Sequence, residues 1–122
     1  MGDSLRMMRM FNRLETEIFK WVQSKFPGSA ISQQLDTAKL THREWTKVGF
    51  YVEFQVDRSL EKYDRTFPID GPEIRSNDVE HGGGSLLWGK EGYLDCLEMY
   101  AYGDFFREEV EEFELLGFEQ SN

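Results

Sequence analysis

Two runs with strand character lie three residues apart near the C-terminal third of the chain. Ser85-Leu86-Leu87-Trp88-Gly89 leads into Lys90-Glu91-Gly92, and Tyr93-Leu94-Asp95-Cys96-Leu97-Glu98-Met99-Tyr100-Ala101-Tyr102 follows. So short a connector implies an antiparallel return, since parallel strands need a long crossover. Gly92 can take the positive φ that a tight hairpin loop requires. An antiparallel sheet is therefore the frame into which the other segments must fit.

Upstream, Phe50, Val52, Phe54 and Val56 alternate with Tyr51, Glu53 and Gln55, the period of a half-buried strand. The opening segment has a different period. Met7, Phe11, Leu14, Ile18 and Val22 recur at spacings of four and three, which predicts an amphipathic helix over about residues 4–26. Asp3 or Ser4 is a suitable cap, and Pro27-Gly28 is a stop signal. One apolar stripe needs one partner surface, most simply a sheet. Residues 29–40 read as a short second helix or a connection. Pro68 and Pro72 bracket an extended piece near Phe67–Ile69, and Ile74 marks a further short strand. The tail is open to two readings: helix over Glu108–Glu114, or a last strand around Phe113, Leu115 and Phe118 edged with glutamate. The expected fold is α+β, one domain over residues 1–122, with the helix packed on a mostly antiparallel sheet whose strands lie mainly within 39–118.

With 122 residues, 39% of them hydrophobic and with 10 Phe, 5 Tyr and 3 Trp, the chain has the material for one core without metal or disulfide support. Cys96 is the single cysteine, which excludes an internal disulfide and suits a reducing compartment. The start lacks the apolar run of a signal peptide, and no stretch approaches membrane-spanning length. A cytoplasmic location without membrane attachment is expected.

The net charge of −9 is unevenly spread. Residues 1–50 carry eight Lys/Arg against five Asp/Glu, a net of +3; residues 51–122 carry six against eighteen, a net of −12. Such a field repels phosphate backbones and disfavours nucleic-acid binding. It also speeds encounter with a basic partner, although solubility alone accounts for much acidic surface.

Several motifs resemble catalytic ones and fail on inspection. Gly84 through Gly89-Lys90 matches the spacing of a phosphate-binding loop, but Glu91 stands where a metal-binding hydroxyl is needed. His81-Gly82-Gly83-Gly84 matches an oxyanion loop of esterases, yet Leu87 occupies the closing glycine of the required Gly-x-Ser-x-Gly elbow. A glycine-rich bulge or turn feeding the hairpin is the simpler account. His42, His81 and Cys96 have no same-type partner at ligand spacing, so neither a metal nor a cofactor is expected.

Strict alternation places Leu94, Cys96, Glu98, Tyr100 and Tyr102 on one face of the hairpin's second strand. If that face is covered, Glu98 needs a donor, for which Arg43, Thr46 and His81 are candidates. A polar site of Arg43, His81, Glu98 and Tyr100 would then offer acid–base or ligand-binding chemistry. More often such a carboxylate is a structural acceptor or is simply exposed.

Arg43-Glu44-Trp45-Thr46-Lys47-Val48-Gly49-Phe50-Tyr51 resembles an Arg-Glu-x-Thr-Gly-Val-Gly-Phe-Phe segment found in a group of small bacterial proteins. His81-Gly82-Gly83-Gly84 and Leu97-Glu98-Met99-Tyr100-Ala101-Tyr102-Gly103 resemble their His-Gly-x-Gly and Leu-Glu-x-Tyr-x-Tyr-Gly segments. The resemblance implies a similar α+β fold and assigns no activity. Lys47 replaces the glycine of that pattern, which puts a tight turn there in question. In size, acidity and architecture the chain is also similar to immunity proteins of bacterial toxin systems, which bind and block a toxin domain.

Three functions follow as expectations. The first is a non-catalytic acidic binding protein, most concretely an immunity protein masking a basic toxin domain such as a nuclease. Its expected contacts are Tyr100, Tyr102, Asp104, Phe105, Glu108, Glu109, Glu111 and Glu112, because tyrosine-rich strand ends and carboxylates suit such a surface. The second is a small enzyme or ligand-binding domain around His81 and Glu98. The third is a homodimer using the N-terminal helix and Trp21.

Overall fold

Asn12 sets where the first described helix begins. Its side chain accepts from the Glu15 N–H at 2.8 Å, and the Glu15 carboxylate accepts from the Asn12 N–H at 2.9 Å. This reciprocal box satisfies two donors that a helix start otherwise leaves open. The computed structural model describes residues 11–117, and within it helix α1 runs Arg13–Lys25. The helix expected over 4–26 is thus found from Arg13 onward; Asp3, Ser4 and Met7 lie outside the described residues. Leu14, Ile18 and Val22 form its buried stripe. Phe11 precedes the helix and meets Phe19 edge-on at 5.1 Å between ring centroids, and Phe19 meets Phe54 of the sheet at 5.4 Å.

The ambiguous segment after Gly28 is a helix. The Ser29 side chain accepts from the Ser32 N–H at 3.2 Å and opens α2, Ala30–Asp36. Ile31 and Leu35 enter the core, and between them Gln34 is fully buried. Its amide donates to the carbonyls of Glu61 and Gly92, both at 3.0 Å, and its Oε1 accepts from the Leu94 N–H at 2.9 Å. One side chain thereby ties α2 to a loop and to the hairpin turn.

Seven strands follow: β1 Lys39–Trp45, β2 Gly49–Gln55, β3 Ile69–Asp70, β4 Glu73–Ser76, β5 Val79–Lys90, β6 Tyr93–Ala101 and β7 Glu114–Leu116. They form one sheet in the order β1-β2-β6-β5-β4-β7, with β3 also alongside β5, and all these pairs are antiparallel. The expected hairpin is β5–β6. Glu91 and Gly92 carry φ of +56° and +90°, the successive left-handed pair of a two-residue turn. The tail adopts the strand reading in part, as β7; residues 107–113 are irregular, and Phe118 lies outside the described residues. The arginine of Arg13 stacks over Phe113 at 4.5 Å, joining α1 to this tail.

Cross-strand register assigns the two faces, because directly opposed residues project to the same side. Arg43, Val52, Leu97, Leu87 and Ile69 form one row across β1, β2, β6, β5 and β3. Val52, Leu97 and Leu87 are inaccessible to solvent, and they join Ile18, Val22, Ile31 and Leu35 of the helices in a single core. Burying each such side chain stabilises by about 1.5–3 kcal/mol. Both helices therefore cover the same face. Leu94 departs from strict alternation: Trp88 opposes Cys96 while Gly89 opposes Leu94, leaving Asp95 as a bulge. The extra residue flips the pattern, so Leu94 joins the core and leaves the face of Cys96 and Glu98. Among the described residues no helix is long and apolar enough to cross a membrane.

Lys47 completes the β1–β2 turn, where the Thr46 N–H donates to the Gly49 carbonyl at 2.9 Å. The turn forms without glycine, and Lys47 is held at φ +75°. Its carbonyl accepts from the Phe106 N–H at 2.7 Å, so the conformation is locked by the tail. A left-handed non-glycine residue costs about 1–2 kcal/mol, which glycine partly returns. Lys47→Gly is expected to raise stability by about 0.5–1 kcal/mol in urea titration. Gln34→Ala removes three hydrogen bonds, leaves the buried Leu94 N–H without its acceptor, and is expected to lower stability by about 1–3 kcal/mol, with an unchanged m-value. An unaltered midpoint for Gln34→Ala would show that the network does not hold α2 in place.

Candidate functional site

With the helices on one side, the opposite face of the sheet carries the second set of rows. Glu44, Tyr51, Glu98, Leu86 and Asp70 stand opposite one another from β1 to β3. The neighbouring row is His42, Glu53, Cys96 and Trp88. On the other side of the first row lie Gly49, Tyr100 and Gly84, and the Tyr102 N–H then donates to the Gly82 carbonyl at 2.9 Å. Tyr51, Trp88 and Tyr102 are 44%, 38% and 50% exposed, unusually open for large aromatic side chains on a sheet.

Glu98 sits at the centre of this face. The donor it finds is Trp88, whose indole N–H reaches Oε1 at 2.9 Å. None of Arg43, Thr46 and His81 supplies that bond. Arg43 lies on the helix side, where its Nε and a terminal nitrogen grip the buried Glu15 carboxylate at 2.7 and 2.6 Å. That bond raises the Arg43 pKa further. Thr46 turns back to the Gly49 carbonyl. His81 occupies a bulge of β5 at φ +59°, exposed and beside Gly103. The four residues of the expected polar site therefore do not converge: Glu98 and Tyr100 share the open face, and Arg43 faces the helix.

Tyr100 lies over Gly84, where any Cβ would fall 2.5 Å from its hydroxyl oxygen; the glycine makes room for the ring. Its ring meets that of Tyr102 edge-on at 6.0 Å. Burial, then the charges of Asp70, Glu98 and Glu73, push the Tyr100 hydroxyl pKa up. Tyr102 is raised by burial and Glu73. Burial is the larger cause of both shifts, and the neighbouring carboxylates add to it. Among the described residues no ion pair joins Glu44, Glu53, Asp70, Glu73 or Glu98 to a lysine or arginine.

The remaining expected contacts form a separate group. Asp104 and Phe105 are exposed; the Asp104 N–H donates to Glu80 at 2.8 Å, and the Phe105 ring stands edge-on to Trp45 at 6.1 Å. Glu108, Glu109 and Glu111 line a cleft of about 340 Å³ with Asp78 and Arg107, which form an ion pair at 3.5 Å. Glu112 is exposed, and its carbonyl accepts from Ser76. Tyr51, Leu86 and Trp88 are not among the residues expected from sequence. Tyr51 was legible as an outward position of β2; Trp88 becomes visible only through the β5–β6 register.

The apparent phosphate-loop match lies inside β5, whose residues pair with β6 on one side and β3 on the other, leaving no loop of free amides. Among the described residues no group of three His, Cys, Asp or Glu side chains is arranged to hold a metal. Trp21 is half-buried against the core, with the Lys25 ammonium 5.2 Å from its ring centroid. No family model matches the chain, and no curated protein or solved structure compared with it gives a significant match.

Cys96 lines a further cleft of about 630 Å³, beside Glu53, Asp95, Arg58 and Thr41. Burial, reinforced by the charges of Asp95 and Glu53, pushes its thiol up to about 11 from 9.0. The folded state thus favours the neutral thiol. The resulting stabilisation is fully present below the unfolded value and is lost as pH rises through the folded one. Alkylation of Cys96 by iodoacetamide is expected to be slow at neutral pH and to accelerate with a midpoint near 11. A midpoint at the ordinary thiol value would show that this environment is not felt. Asp95→Asn is expected to move the midpoint down.

Proposed function

We propose that this protein is a non-catalytic acidic binding protein that masks a basic partner, most concretely an immunity protein neutralising a basic bacterial toxin domain such as a nuclease. The observation that carries this reading is a sheet face that, among the described residues, no helix covers and on which exposed aromatic rings stand beside carboxylates without an ion-pair partner. Large exposed aromatics are characteristic of protein-binding surfaces. Uncompensated charge adds rapid encounter and selects the partner's sign. A nuclease domain is cationic where it handles phosphate, so an acidic mask is complementary to it.

The cleft of Glu108, Glu109 and Glu111 adds to the same field. The similarity in size, acidity and architecture to immunity proteins fits this reading. Cytoplasmic residence is part of the proposal, since a masking protein of this kind protects the cell that makes it.

The test is affinity capture with tagged protein from lysate of its source, at low and high salt, followed by reconstitution with the purified partner. A stoichiometric basic protein, released as salt rises and losing its own activity in the reconstituted complex, is the expected result. Capture that is indifferent to salt, or a partner whose activity is unaffected, would overturn the reading.

A further inference from the structure

Resting on that reading, the geometry points to the face around Glu98 as the docking surface, and to an arginine-bearing basic polypeptide segment as its occupant. The central carboxylate is held in place before any partner arrives. Trp88 caps Oε1 from one strand while Tyr51 stands directly opposite Glu98 on the other. Among the described residues the second oxygen of Glu98 has no such donor, and the two neighbouring rings, Tyr51 and Trp88, are exposed. A guanidinium is planar, so it can stack on an aromatic face while its edge donates to a carboxylate. A lysine ammonium is a compact, strongly hydrated point charge that gains less from this arrangement.

The surroundings support the same occupant. Glu44 and Asp70 end the row that contains Glu98, and Glu53 lies in the next row. After burial, which is the larger cause, Asp70, Glu98 and Glu73 raise the Tyr100 hydroxyl and Glu73 raises that of Tyr102. His42 stands at the end of the second row, and Arg75 and Lys90 are at the margins on β4 and β5. Leu86, half-buried beside Glu98, provides an apolar floor for the methylene stem of a long side chain. The acidic cleft of Glu108, Glu109 and Glu111 has no aromatic lining, so it attracts positive charge without distinguishing arginine from lysine.

The probes are poly-arginine and poly-lysine peptides of equal length, titrated calorimetrically at low salt. The proteins are the wild type, Glu98→Gln, Tyr51→Ala, and a variant with Glu108, Glu109, Glu111 and Glu112 all changed to glutamine. Circular dichroism checks the fold of each. The wild type is expected to prefer poly-arginine by about tenfold, the effect of one desolvated, stacked ion pair. Glu98→Gln and Tyr51→Ala are each expected to bring the preference close to one. The glutamine loop variant should weaken both peptides by a similar factor and leave the preference intact. Equal binding of the two peptides by the wild type would overturn the docking inference, as would a preference lost only in the loop variant; the basic-partner reading survives either result. Failure of both peptides to bind would overturn that reading as well.

Discussion

Strand β5 holds this fold together, because three other strands depend on its hydrogen-bonding edges. Along one side it pairs with β6 over almost its whole length; along the other, β3 and β4 follow one another. Between these two short strands the Gly71 N–H donates to the Ser85 carbonyl at 3.0 Å, and the buried Ser85 hydroxyl donates to the Pro72 carbonyl at 2.7 Å. The interruption is therefore still tied to β5. A strand used on both edges must fix its register, since a slip of one residue would carry Leu87 out of the core and Trp88 into it.

The tight turn at Glu91–Gly92 fixes that register at one end. Gln34 then fastens the turn to α2, which is the point where the helical layer is tied to the sheet by hydrogen bonds as well as packing. Glu15 has a related role nearer the edge: it completes the α1 cap and accepts the Arg43 guanidinium from β1. A buried carboxylate is tolerable there because each of its oxygens has a donor. Two polar side chains on the helices thus set where the helices sit, while apolar rows supply most of the stabilisation.

Much of this was legible in the sequence through period alone. The 3–4 spacing of Leu14, Ile18 and Val22 and the alternation of Phe50, Val52 and Phe54 each identified an element and its buried side. What the sequence did not disclose depends on contacts between distant segments. A bulge at Asp95 has no local signature, so Leu94 was assigned by parity to the wrong face. Arg43 was matched to Glu98 because both are charged, whereas only the register shows them on opposite sides. The turn at Lys47 looked unfavourable without glycine and forms because the tail bonds to it. In the candidate site, Tyr100 and Tyr102 were found from the tyrosine-rich strand end and Tyr51 was legible as an outward position of β2, but Trp88 required knowing which strands are neighbours.

The sheet has two faces, and among the described residues the helices cover one. A bare aromatic face invites association, and the face here combines that apolar content with Glu44, Glu53, Asp70, Glu73 and Glu98. In a two-fold dimer formed through it, the same carboxylates of two copies would be brought together, at a cost that grows as water is excluded. A partner of opposite sign meets the reverse situation: its charges relieve the repulsion within the face while its side chains cover the rings. The carboxylates thus oppose self-association through the surface on which a basic partner gains most. On the proposed reading, that asymmetry favours a hetero-complex over a homodimer at this face.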